Sequence, residues 1–101
     1  MVRHMLFVAY TEEVRKKGAE EATEAIRKIF TEMPGNVPGL RKAEYGLNIS
    51  GGKYDACLYS EFDKPEDIPA YRLHPLHKKL EKMADAWVES NAIVDYIVEE
   101  P

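Results

Sequence analysis

Cysteine is scarce in this chain of 101 residues, since Cys57 is its single representative. One cysteine excludes a disulfide within the chain and is typical of a protein from a reducing compartment. The sequence also lacks a glycine-rich phosphate loop, a Cys-x-x-Cys pair and a Ser/His/Asp nucleophile signature. Disulfide scaffolds, P-loop nucleotide binding and serine hydrolysis are therefore not expected.

Long hydrophobic runs and a strong charge of one sign are missing as well. The apolar run from Met5 to Tyr10 is too short for a signal-peptide core or a membrane span. The net charge is −4, and the basic clusters at Arg15–Lys17 and Lys78–Lys82 lie beside acidic residues, which argues against nucleic-acid binding. We therefore expect a soluble cytoplasmic protein with no membrane or nucleic-acid partner, formed by one domain over residues 1–101.

Hydrophobic periodicity predicts the element order β-α-β-β-α-β. Thr11 is a candidate helix cap, Gly18 should disturb the first helical turns, and Asp63 is expected to cap a short helix after the third strand. The glycine pair Gly51–Gly52 predicts a hairpin. The predicted strands are residues 2–10, 40–49, 54–62 and 92–99, and the main helices cover residues 19–33 and 75–87. This order is that of the ferredoxin-like α+β plait.

Two of the three histidines flank a proline between the two C-terminal helices. Pro75 lacks an N–H and disfavours helical backbone at His74, so one helix should end near Leu73 and the next should begin at Pro75. In the second helix His77 borders an apolar stripe, and we expect any chemistry to lie there. The stripe consists of Leu76, Leu80, Met83, Ala84 and Trp87.

The predicted sheet has an apolar face that two helices cannot cover. In a four-stranded plait both helices pack on one face, and an apolar patch as large as the second face usually marks an association surface. We therefore predict a homodimer in which two sheets pack face to face and close into a shared barrel. The uncovered face is predicted to carry either an equally apolar alternative set or the residues Met5, Phe7, Ala9, Cys57, Tyr59, Val94, Tyr96 and Val98.

Several motifs recur in an order that resembles the stress-responsive dimeric α/β-barrel (Dabb) family. The most specific motif is Tyr-x-x-His-Pro-x-His, which runs from Tyr71 to His77. It is accompanied by His4, by Pro38-Gly39-Leu40, by the segment from Tyr45 to Ser50 and by Val94-Asp95-Tyr96. The resemblance covers essentially the whole chain.

The resemblance implies a homodimeric barrel with a cavity between the sheet and the helices of each protomer. A plant branch of the family, the polyketide cyclases, catalyses aldol cyclisation without a cofactor. Its base, assisting tyrosine and last-strand aspartate match His77, Tyr71 and Asp95, and His4 and His74 are further family-like positions. No cofactor is therefore expected. The residues expected to contact a small hydrophobic ligand are His4, His74, Leu6, Val8, Ile26, Leu58 and Trp87.

Asp95 is the most informative single residue because it lies in the apolar strand Ala-Ile-Val-Asp-Tyr-Ile-Val. A carboxylate in such a strand should be paired, hydrogen-bonded or protonated. If it faces the helices, His77 is a natural partner, and the pair would fix the imidazole tautomer and raise its basicity. With Tyr71 donating to a developing enolate oxygen, these residues indicate proton abstraction beside a carbonyl.

Other interpretations of the same residues remain open. An Asp–His pair is also an ordinary way to satisfy two polar groups between a helix and a sheet, which suits a non-catalytic ligand-binding or stress-related homodimer. His4, His74 and His77 lack the close spacing of a metal-binding motif, so no metal site is predicted. Related barrels include monooxygenases and haem-degrading proteins, but fold alone is a poor guide to function. The chain also departs from the cyclases at Ala22 and Ile26, where bulkier aromatic residues are typical.

Overall fold

Four antiparallel strands form one sheet in the order β2-β3-β1-β4. The computed structural model describes residues 1–99. The strands are β1 (Val2–Tyr10), β2 (Leu40–Leu47), β3 (Ala56–Phe62) and β4 (Val88–Ile97), and the helices are α1 (Glu12–Lys17), α2 (Glu20–Glu32), α3 (Asp67–Leu73) and α4 (Pro75–Ala84). This is the ferredoxin-like arrangement that the sequence predicts, with each of the two predicted helical regions divided into two helices.

Local sequence accounts for both divisions. The Thr11 hydroxyl accepts a hydrogen bond from the Val14 N–H and caps α1, and Gly18, at φ 87°, ends α1 before α2 begins. Positive φ is readily accessible to glycine, which has no Cβ. Pro75 is the first residue of α4, where its missing N–H has no helical partner to lose. The helix break predicted at Pro75 is confirmed, and Gly18, which was predicted to disturb the first helical turns, ends α1.

The core lies between the sheet and the helices. Strand β1 is central and presents His4, Leu6 and Val8 toward the helices, while α2 contributes Ile26 and Phe30 from its apolar face. Burial of such side chains provides the main driving force for folding, at about 25 cal/mol per Å² of apolar surface. The largest fully buried side chains are Tyr10, Phe30, Phe62, Met33 and Leu58.

Several predicted boundaries are wrong. Strand β4 begins at Val88 and not at residue 92, so it pairs with β1 along the whole length of that strand. Strands β2 and β3 are each two residues shorter at their hairpin ends, because residues 48–55 form the turn. Asp63 does not cap α3, which begins at Asp67, and its carboxylate pairs instead with Arg41.

In the part of the chain that the structure describes, no helix packs on the second face of the sheet. Strand alternation places Met5 and Phe7 of β1 on this face, and their partners across β4 are Val94 and Ala92. Val94 and Tyr96 are among the exposed large apolar residues. No helix within residues 1–99 combines the length and the apolar character needed to cross a membrane.

Candidate functional site

A cavity of about 260 Å³ lies between the sheet and helices α2 and α4. Its lining includes His77 and three of the predicted ligand-contacting residues, Leu6, Val8 and Ile26. Apolar and polar side chains therefore meet at one small opening, which is the usual composition of a small-molecule site. The other lining residues are Phe30, Tyr45, Leu80, Glu81, Ala84, Asp85, Val88 and Asn91.

His77 is held at this cavity by a carboxylate on its own helix. Its Nδ1 lies 3.0 Å from Glu81 Oε1, one helical turn further on, and 18 % of the His77 side chain is exposed. A carboxylate accepts hydrogen bonds, so it holds the proton of the neutral ring on Nδ1 and leaves Nε2 able to take up another. Burial lowers the pKa of His77, and the Glu81 charge and hydrogen bond oppose this effect. At neutral pH His77 is therefore an unprotonated base.

Asp95 faces the helices, but its partner is His4 and not His77. The two residues are directly opposite in the register of β1 and β4, and His4 Nδ1 makes a short contact with Asp95 Oδ1. Opposed residues on antiparallel strands project to the same side, which brings these groups together before any helix is involved. His4 is 3 % exposed. The predicted Asp95–His77 hydrogen bond is therefore wrong.

Tyr71 lies between the two histidines. Its ring centroid is 4.5 Å from that of His77 and 6.0 Å from that of His4, both in edge contacts, and Phe62 packs on it at 5.3 Å. Burial raises the pKa of the Tyr71 hydroxyl, so it stays protonated. Among residues 1–99 the hydroxyl makes no hydrogen bond. We call His4, Tyr71 and His77 the histidine–tyrosine cluster.

The cluster is continuous, yet only one of its members borders the cavity. His77 lines it, whereas Tyr71 and His4 are buried behind it. Asp95 lines a separate surface groove beside Ile68 of α3. The predicted catalytic residues are therefore close together, but they do not all face one opening.

Besides His4, three more of the predicted ligand-contacting residues lie away from this cavity. His74 caps α4, because its Nδ1 accepts from the Leu76 N–H and its Nε2 donates to the Asn36 carbonyl, both at 3.1 Å. Leu58 is completely buried in the core. Trp87 lines a different groove, beside α1 and the start of α2. These three residues support the fold and do not touch the cavity that His77 lines.

Glu81 and Tyr45 were not predicted as site residues. Glu81 could have been predicted from the sequence, because it follows His77 by four residues within one helix, a spacing that brings two side chains together. Tyr45 reaches the cavity because the register of β2 places it opposite Leu58, which the sequence does not specify. In the described part of the chain, no group of three or more His, Cys, Asp or Glu side chains is placed to hold a metal ion.

Comparison with known proteins gives one family and a set of similar structures. The family model described as Stress responsive A/B Barrel Domain matches residues 2–98. A dimeric protein of unknown function with a ferredoxin-like fold from Bacteroides fragilis NCTC 9343 is 30 % identical, with a TM-score of 0.84 over 94 % of this chain and 93 % of that chain. A search of curated proteins found no significant match.

Two further structures are similar in fold at lower identity. A dimeric ferredoxin-like protein of unknown function from Thermobifida fusca YX is 18 % identical, with a TM-score of 0.80 over 96 % of this chain and 90 % of that chain. Hydroxynitrile lyase from Passiflora edulis is 16 % identical, with a TM-score of 0.77 over 99 % of this chain and 94 % of that chain. At these identities the likeness establishes the fold alone.

Proposed function

We propose a function for this chain, which belongs to the family of stress-responsive A/B barrel domains. In this proposal the protein is a homodimer, and each protomer binds a small, largely apolar carbonyl compound. In this proposal the protein abstracts a proton from the carbon beside the carbonyl without a cofactor. The observation that carries the proposal is the cavity lined by His77, whose Nδ1 is held by Glu81.

In the proposed step His77 acts as the general base. Its Nε2 takes the proton from the substrate carbon, and the electrons of the broken C–H bond move to the carbonyl oxygen, which gives an enolate. The imidazolium that forms is stabilised by the Glu81 carboxylate. Tyr71 serves as a positioning residue through its edge contact with the His77 ring, and Asp95 orients His4 on the far side of Tyr71.

The test is hydrogen exchange at the substrate carbon. Acetophenone, cyclohexanone and acetylacetone are incubated with the protein in heavy water, and loss of the α-proton signal is followed by proton NMR. We expect wild-type protein to accelerate exchange of at least one compound, and His77→Gln to reduce the acceleration by about 10²- to 10⁴-fold. Lys79→Gln changes an exposed residue of the same helix and is the matched control. Equal rates for wild type and His77→Gln on every compound would refute the catalytic proposal.

A non-catalytic ligand-binding homodimer is the second candidate. Tyr71 supports this candidate, because it is buried and does not line the cavity. Its position therefore gives the Tyr71 hydroxyl no catalytic role. Binding of these ketones without any acceleration of exchange would favour this candidate. We also propose a cytoplasmic location, which the single cysteine supports.

The homodimer is proposed to form through the open face of the sheet. The two similar proteins from Bacteroides fragilis and Thermobifida fusca are described as dimeric, and this face carries half-exposed apolar residues such as Val94 and Tyr96. We expect sedimentation at micromolar concentration to give twice the 11.6 kDa of one chain. Val94→Glu should produce monomers, whereas Ile49→Glu, at a fully exposed position of the hairpin turn, should not. Sedimentation of the wild type as a monomer would contradict the proposal.

A further inference from the structure

Three buried hydroxyl groups form a chain, and Tyr45, at one end of this chain, is a residue that lines the cavity. The Tyr10 hydroxyl lies 2.8 Å from Thr23 Oγ1 and 2.8 Å from the Tyr45 hydroxyl. Thr23 is 1 % exposed and Tyr10 is not exposed at all, while Tyr45 is 5 % exposed and is the one member of the chain that lines the cavity. The mechanism proposed above uses none of these groups.

This hydroxyl chain, Thr23–Tyr10–Tyr45, has one proton more than its own contacts use. Each hydroxyl carries one proton, so the chain holds three, and its two contacts engage two of them. Within residues 1–99 neither Thr23 Oγ1 nor the hydroxyl oxygen of Tyr45 has another hydrogen-bond partner. One of the three hydroxyls must therefore carry a proton that has no acceptor within residues 1–99.

The position of that proton follows from burial. A donor enclosed in packed surroundings without an acceptor is strongly disfavoured. A free proton on Tyr10 or Thr23 would be enclosed in this way, whereas Tyr45 borders a space that water or a ligand can enter. The favoured arrangement is therefore donation from Thr23 to Tyr10 and from Tyr10 to Tyr45, with the Tyr45 proton available at the cavity.

We propose that Tyr45 donates this proton to an acceptor oxygen of the bound molecule, so that the cavity selects compounds in which a carbonyl is joined to a small apolar group. The inference rests on the proposed function and deepens it. Phe30 packs against the Tyr45 ring at a centroid distance of 5.6 Å and fixes its position. Burial raises the pKa of Tyr45, so the hydroxyl remains a donor. Because Tyr45 and His77 line one cavity of about 260 Å³, a single small molecule can contact both.

The test compares two probes of nearly the same shape, acetophenone and α-methylstyrene, in which a methylene group replaces the carbonyl oxygen. Affinities are measured by NMR titration of wild type, Tyr45→Phe and Tyr54→Phe. We expect wild type to prefer acetophenone by about 3- to 10-fold, the range of one neutral hydrogen bond. Tyr45→Phe should bind both probes equally. Tyr54→Phe removes a hydroxyl outside the cavity lining and should keep the preference.

A second measurement needs no ligand. The deuterium isotope effect on tyrosine Cζ resonances reports how fast each hydroxyl proton exchanges with water. We expect slow exchange at Tyr10 and faster exchange at Tyr45, and slower exchange at Tyr45 than at Tyr10 would overturn the assigned direction of the hydroxyl chain. Tight binding of both probes without preference refutes the role of Tyr45 but leaves the ligand site. Binding of neither probe refutes the ligand site and this inference together.

Discussion

The pair formed by His4 and Asp95 allows a quantitative test of how the site is built. Asp95→Ala removes the acceptor and leaves the Nδ1–H of a histidine that is 3 % exposed without a partner. An unsatisfied buried donor destabilises a protein by about 1–3 kcal/mol. The Asp95 side chain is 33 % exposed, so water partly replaces the lost carboxylate, and we expect about 1–2 kcal/mol. For a domain of this size, each kcal/mol corresponds to about 4–8 °C in Tm.

A double-mutant cycle separates the pair from its surroundings. His4→Phe removes the donor, so Asp95→Ala should destabilise the His4→Phe protein less than it destabilises wild type, with a coupling of about 1 kcal/mol. Free energies of unfolding come from urea titrations followed by circular dichroism at one fixed protomer concentration, because the stability of a dimer depends on that concentration. Asp95→Asn keeps an acceptor oxygen and is the control, with an expected loss below about 0.5 kcal/mol.

Two results would refute this reasoning. One is additivity of the His4→Phe and Asp95→Ala effects to within about 0.5 kcal/mol, as for independent sites. The other is a fall in the pKa of His77 in Asp95→Asn, which would make Asp95 the carboxylate that serves His77. We expect the pKa of His77 to stay as in wild type, because its hydrogen-bonded carboxylate is Glu81.

Three further predictions follow from single features of the structure. Glu81→Gln should lower the pKa of His77 below its wild-type value, because the Glu81 charge opposes the effect of burial; an unchanged value in an NMR titration would contradict this. Since the folded pKa of His77 is lowered, the unfolded state binds more protons, so stability should fall as the pH drops below about 6.5. His77→Gln should flatten this dependence in urea titrations made at several pH values. Gly39→Ala should destabilise more than Gly35→Ala in the same assay, because both glycines have positive φ but the new Cβ would lie 2.2 Å from the Asp67 carboxylate only at position 39.

Much of the fold could be predicted from local sequence. Alternation in residues 2–10, the cap at Thr11, the interruption at Gly18 and the break at Pro75 are properties of short segments, and each is confirmed. The start of β4 was not predictable from local sequence, because Val88 joins that strand by pairing with Tyr10 of β1 and not through its neighbours in the sequence. Strand ends depend on a partner, which lies far away in the sequence.

The candidate site likewise has some features that local sequence determines and others that depend on tertiary contacts. The sequence by itself determined that His77 stands at the start of an amphipathic helix, that Asp95 lies in an apolar strand and that the helix breaks before Pro75, since helical spacing and proline geometry act over a few residues. Only the tertiary structure decided that Asp95 meets His4, through the register of β1 with β4, and that Tyr45 borders the cavity. Register and packing are set by contacts between residues distant in the chain, and no pattern of near neighbours encodes which of several buried polar groups will meet.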